Sequence, residues 1–140
     1  MNFFKDMKIG YDLDGVLISD LNWPHGMSLK EFLEMRKSEP LPNFIPKGDY
    51  VIVTGRNNTD LQYTTDWVTA NLKSNPPMRV FHDCEDYREA KHYKQKIINE
   101  QAIDVFIESD IMQVEHLAKH CPNCRVYHFG SWVSEKISRL

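Results

Sequence analysis

The sequence predicts an α/β fold built on a parallel sheet of about five strands, with helices on both faces. Three observations carry this. Short apolar or β-branched runs recur at residues 9–13, 50–54, 78–82, 103–107 and 125–129. From Tyr50 onward these runs alternate with segments of helical periodicity, the pattern of a parallel sheet covered on both sides. Polar and acidic residues also stand at the carboxyl ends of the first, second and fourth runs, where such sheets collect ligands.

In the first run, Ile9, Tyr11 and Leu13 mark a short buried strand. Asp12 and Asp14 close it, one residue apart, and Gly15 lets the backbone turn sharply. Residues 18–27 read as a polar loop. Ser28 to Glu31 is a capping box, and Phe32, Leu33 and Met35 predict one short helix ending near Ser38. Pro40, Pro42 and Pro46 then forbid a regular element as far as Gly48. Residues 18–49 thus form a small helical insert in a single domain spanning the 140 residues.

Tyr50-Val-Ile-Val-Thr54 predicts a buried strand broken by Gly55. A second capping box, Thr59 to Gln62, opens a helix predicted over residues 59–73, with Leu61, Thr65, Val68 and Leu72 on its inner face. Pro76 and Pro77 end it. After the strand at 78–82 comes an acidic loop, 83–86, then a helix to about Glu100 with Ala90, Tyr93, Ile97 and Ile98 inward. The fourth strand stops at Glu108-Ser109-Asp110. Ile111, Val114, Leu117 and Ala118 mark the last predicted helix, capped by Ser109 or Asp110.

Composition narrows the function classes. A net charge of −3 gives no broad electrostatic pull towards nucleic acid. No apolar run approaches the length of a membrane span, and the first residues lack the apolar region of a secretory signal, so a cytoplasmic protein is expected. Cys121-Pro-Asn-Cys124, with His116 and His120 a helical turn apart before it, has the spacing of half a zinc site. The other reading is a helix end, a tight turn and small buried thiols.

The paired aspartates carry the strongest chemical signal. Two carboxylates held close repel, and a divalent cation with oxygen ligands relieves the repulsion. A calcium loop of the EF-hand type is excluded, because the twelfth residue counted from Asp12 is Trp23 rather than Glu. Asp12, Asp14, Thr54, Glu108 and Asp110 all fall at one predicted rim.

Four stretches in this order resemble the haloacid dehalogenase-like (HAD) superfamily of phosphotransferases, in a small member without a large cap. They are Ile9-Gly-Tyr-Asp12-Leu-Asp14-Gly15-Val-Leu17, Val51-Ile-Val-Thr54-Gly55-Arg56, the segment around Lys94, and Phe106-Ile-Glu108-Ser109-Asp110. The resemblance implies a Rossmann-like sheet and a magnesium-dependent phosphatase working through an aspartyl-phosphate intermediate. It makes Asp12 the nucleophile and Asp14 the acid and base. Thr54 would hold the transferred oxygens, Lys94 would balance charge, and Gly55 and Arg56 would lie against the substrate. Magnesium would be held by Asp12, Asp14 and either Glu108 or Asp110, since Ser109 stands where many relatives have an aspartate. The expected substrate is a nucleotide, a polynucleotide end or another phosphomonoester, with Trp23 and His25 as a partial lid and closure by a second subunit an option. The alternative is a non-catalytic phosphate-binding or regulatory module on the same scaffold.

Overall fold

The computed structural model describes residues 6–18, 26–28, 30–31 and 42–130. Five strands form one sheet: β1 (Ile9–Tyr11), β2 (Val51–Val53), β3 (Arg79–Phe81), β4 (Val105–Glu108) and β5 (Arg125–His128). Their spatial order is β3-β2-β1-β4-β5 and every pairing is parallel. Among the described residues three helices connect them: α1 (Leu61–Asn71), α2 (Ala90–Glu100) and α3 (Ile111–His120). The chain therefore has the α/β, Rossmann-like architecture that the alternation of runs predicts, with β1 at the centre.

Alternating side chains along the strands feed two cores. Val51, Val53, Phe81 and Phe106 point to one face, where Ile97 and Ile98 of α2 and Leu117 of α3 cover them. Ile52 and Tyr50 point to the other, where Trp67 and Leu72 meet Leu13, Leu17 and Ile18. Helices thus pack on both faces.

Most elements begin where their caps lie. Asn57 accepts from the Thr59 amide at 3.0 Å and opens a single 3-10 turn ahead of α1. The capping box expected at Thr59 is not what starts this helix. Asp86 caps the corresponding turn before α2, and Asp110, rather than Ser109, caps α3. The capping box at Ser28 is present, with the Glu31 amide donating to Ser28 Oγ at 3.1 Å. The remainder of the helix predicted there, and Trp23 and His25, lie outside the described residues.

Two inner faces differ from expectation. On α1 the buried positions are Thr64 and Trp67, whereas Leu61 and Thr65 are exposed. Val68 and Leu72 do pack on the core as expected, but further up the helix Thr64 and Trp67 take the inner positions, because Trp67 brings more apolar area to the core than Leu61 does and Thr64 has polar partners inside. On α3 only Leu117 is fully buried, and Ile111 and Ala118 face outward.

The orientation of α1 can be tested by unfolding in urea. Trp67→Ala is expected to cost about 3–5 kcal/mol, while Thr65→Ala is expected to stay within ~0.5 kcal/mol of the parent protein.

Candidate active site

The site lies at the carboxyl edge of the sheet, where β1 and β4 end side by side. The Asp12 amide still donates to the Ile107 carbonyl at 2.9 Å, one residue beyond β1. The chain then folds back on itself. The amides of Val16, Leu17 and Ile18 all reach the Leu13 carbonyl, and Gly15 N–H donates to Ile18 O at 2.7 Å. Gly15 takes φ +83°, a left-handed conformation that favours glycine. Because the strand does not continue through Leu13, Asp12 and Asp14 are placed by this loop rather than by strand alternation.

Asp12 is 5% exposed, Lys94 2% and Glu108 fully buried. Lys94 Nζ sits 3.1 Å from Asp12 Oδ1 and 2.6 Å from Glu108 Oε1, and it donates to Gln113 Oε1 at 2.8 Å. Burial pushes the Asp12 carboxyl well above the usual carboxylate range, Lys94 pulls it down, and Glu108 and Asp14 add to the rise. Burial alone would lower the Lys94 ammonium, but Asp12 and Glu108 outweigh that and raise it. Two carboxylates thus share one ammonium, and the cluster has a place for one further positive charge.

Lys94 reaches this point because α2 comes unusually near the end of β2. A Cβ at Gly55 would stand 2.6 Å from Ala90 Cβ and 3.8 Å from Lys94 Cε. Gly55, expected against the substrate, serves as the contact that admits α2. Thr54 is buried, and its Oγ1 accepts from the Arg56 amide at 3.1 Å, closing its own turn. Its hydroxyl proton remains available to a second acceptor.

Arg56, expected against the substrate, is turned in towards Asp14. It is buried, and Nε and Nη2 donate to the two oxygens of Asp14, both at 2.8 Å. Nη1 donates to Thr64 Oγ1 at 3.1 Å, and that oxygen lies 2.9 Å from His82 Nε2. Burial lowers the His82 imidazole. Thr64 and His82 escape sequence reasoning because neither stands in a recognisable motif. The one available clue is that Thr64 falls on the same helical stripe as Trp67.

The four expected metal ligands are not placed alike. Asp12 Oδ2 and the Asp14 carbonyl face Ser109 Oγ, which donates to that carbonyl at 3.0 Å and lies 3.5 Å from Oδ2. Both Glu108 oxygens are engaged: Oε1 by Lys94, Oε2 by the amides of Ser109 and Asp110 at 2.9 and 3.1 Å. Asp110 Oδ1 caps α3 through the amides of Met112 and Gln113. Among the described residues no group of three or more His, Cys, Asp or Glu side chains is arranged to hold an ion. The oxygens that do converge are a carboxylate, a carbonyl and a hydroxyl. Such a set, beside a cluster with excess negative charge, fits a hard cation that keeps several of its waters.

Among the described residues the zinc reading of the cysteine pair finds no ligand set. Cys121 belongs to the core, and the Cys124 amide donates to the Cys121 carbonyl at 3.0 Å in a tight turn. Burial pushes the Cys124 thiol up to about 12, so it stays protonated rather than offering a thiolate. His116 Nε2 pairs with Gln95 Oε1 at 2.8 Å.

Fold and site together define an α/β protein with a buried carboxylate–lysine cluster at the carboxyl end of its central strand. No family model, curated protein or solved structure matches the chain.

Two outcomes follow from the cluster. Lys94→Met leaves Asp12 and Glu108 facing each other without a counter-charge, and is expected to cost about 3–5 kcal/mol in urea unfolding. Asp12 binds its proton more tightly in the folded chain than in the unfolded one. Its contribution is therefore complete below the ordinary carboxylate value, near ~4, and is lost as pH rises through the raised folded value. Without added metal, stability should fall over that range by at most roughly 1.4 kcal/mol per pH unit. Asp12→Asn should flatten the slope and raise the melting temperature at neutral pH.

Proposed function

We propose that this protein is a magnesium-dependent phosphohydrolase that forms an aspartyl phosphate on Asp12, as its HAD-like motifs suggest. The observation that carries this reading is the buried contact of Lys94 with Asp12 at the carboxyl end of the central strand. Phosphoryl transfer depends on positioning and on neutralising charge around the equatorial oxygens. A carboxylate fixed beside an ammonium, in a cluster that tolerates one more positive charge, suits both needs.

In this mechanism Asp12 Oδ2 attacks phosphorus, and the bond to the leaving oxygen breaks. Oδ1 is kept out of the attack by the Leu13 amide at 2.9 Å and by Lys94. Asp14 gives a proton to the leaving oxygen and takes one from the water that later cleaves the acyl phosphate. The Thr54 hydroxyl donates to a transferred oxygen. Magnesium would be held by the Asp12 carboxylate and the Asp14 carbonyl, with Ser109 beside it, and when bound would offset charge on the phosphoryl group. Glu108 orients Lys94, and Asp110 fixes the start of α3. A nucleotide, a polynucleotide end or another phosphomonoester is the substrate class this chemistry serves.

A second reading, a phosphate-binding module without turnover, is favoured by one observation. Both oxygens of Asp14 are already paired with Arg56, the arrangement of a structural ion pair.

Hydrolysis of p-nitrophenyl phosphate with and without magnesium separates the two. The enzymatic reading expects magnesium-dependent release of nitrophenolate that falls by at least ~10³-fold in Asp12→Asn. Phosphate binding measured by calorimetry, with no turnover in the parent protein, would establish the module instead.

A further inference from the structure

A buried polar file leads away from Asp14, and nothing in the proposed chemistry uses its far end. It passes from Asp14 through the Arg56 guanidinium to Thr64 on α1 and on to His82 just beyond β3. All three residues behind Asp14 are buried. Thr64 interrupts a helix face whose other buried member is Trp67. Buried hydroxyl and imidazole groups cost free energy unless they are hydrogen-bonded, and even here His82 Nδ1 has no partner among the described residues. Packing alone would be served better by an apolar side chain at 64.

The guanidinium explains the arrangement. Its planar fork matches a carboxylate through two parallel N–H donors. Two such bonds fix the pair's mutual geometry. A third donor, Nη1, ties the guanidinium to a rigid helix at 3.1 Å, so its position follows that of α1. His82 in turn fixes the hydroxyl of Thr64.

We propose that Thr64 and His82 are positioning residues that lock the Arg56 guanidinium and thereby aim the Asp14 carboxylate beside Asp12. The consequence for catalysis rests on the phosphohydrolase reading; the locking of Arg56 does not. In the second half of that reaction, the oxygen of water bonds to phosphorus. The bond from phosphorus to Asp12 breaks and returns a carboxylate, and the water's proton passes to Asp14. With p-nitrophenyl phosphate the first half expels a phenolate that needs no proton. A badly aimed Asp14 therefore slows the second half selectively.

Thr64→Val keeps the side chain's shape and removes its hydroxyl; Thr64→Ser keeps the hydroxyl. In stopped-flow assays with p-nitrophenyl phosphate, Thr64→Val is expected to show a burst of one nitrophenolate per protein. Steady turnover should then be slower by on the order of 10²-fold, with KM lowered in proportion, kcat/KM unchanged and turnover restored in Thr64→Ser. Parent-like turnover in Thr64→Val would overturn the proposal, as would loss of the burst together with the turnover. A second measurement does not depend on activity. With ¹⁵N-arginine labelling, the Arg56 side-chain protons should be protected from exchange in the parent and in Thr64→Ser, and exchange at least ~10-fold faster in Thr64→Val. Equal protection in Thr64→Val and the parent would refute the lock. Faster exchange in Thr64→Val from a parent that hydrolyses no phosphate ester would support the lock and count against the phosphohydrolase reading alone.

Discussion

Removing an ammonium group from water costs several kcal/mol even after the protein relaxes around it, and Lys94 retains only 2% of its exposure. That cost is offset by Asp12 and Glu108, at 3.1 and 2.6 Å. The three groups come from α2, the end of β1 and the end of β4, so the ion cluster cannot form unless the sheet and α2 are both in register. The same cluster is overcharged by one carboxylate. The site is therefore held together by an interaction that leaves it receptive to a cation.

Several backbone details serve this constraint. Gly55 lets α2 approach β2 more closely than any side chain would allow, which brings Lys94 over the sheet edge. Ser109 joins the end of β4 to the loop after β1 by donating to the Asp14 carbonyl. Glu108 is fixed by two backbone amides of its own turn, so its remaining oxygen faces Lys94 in a set direction. An aspartate at position 109 would have added a third negative charge to this cluster. The hydroxyl instead bridges the two strands' ends without adding charge.

A division of labour follows between the two aspartates. Asp12 meets an ammonium that is shared with Glu108, and both burial and its acidic neighbours oppose its charge. Asp14 meets the Arg56 guanidinium in a geometry with two short bonds. One carboxylate is thus under electrostatic stress while the other is satisfied, although only Leu13 separates them in the chain. This difference arises from their surroundings, since the residue type is the same.

The sequence by itself determined the α/β class, the strands and the polar rim, because β-branched runs, helical stripes and strand-end aspartates are local signals. Lys94 also stands three and four residues before Ile97 and Ile98, on the inward side of its helix. Tertiary structure alone decided that Thr64 and Trp67 rather than Leu61 and Thr65 turn inward on α1, since that depends on Trp67 finding space beside Leu13, Leu17 and Ile18. It decided that Arg56 turns in to Asp14, because their pairing spans 42 residues of chain. It assigned Glu108 to Lys94 and Asp110 to a helix cap, two roles that neighbouring acids in one short motif do not announce. Periodicity records what each segment must bury. Which charged group meets which is settled only when elements far apart in the chain are brought within hydrogen-bonding reach.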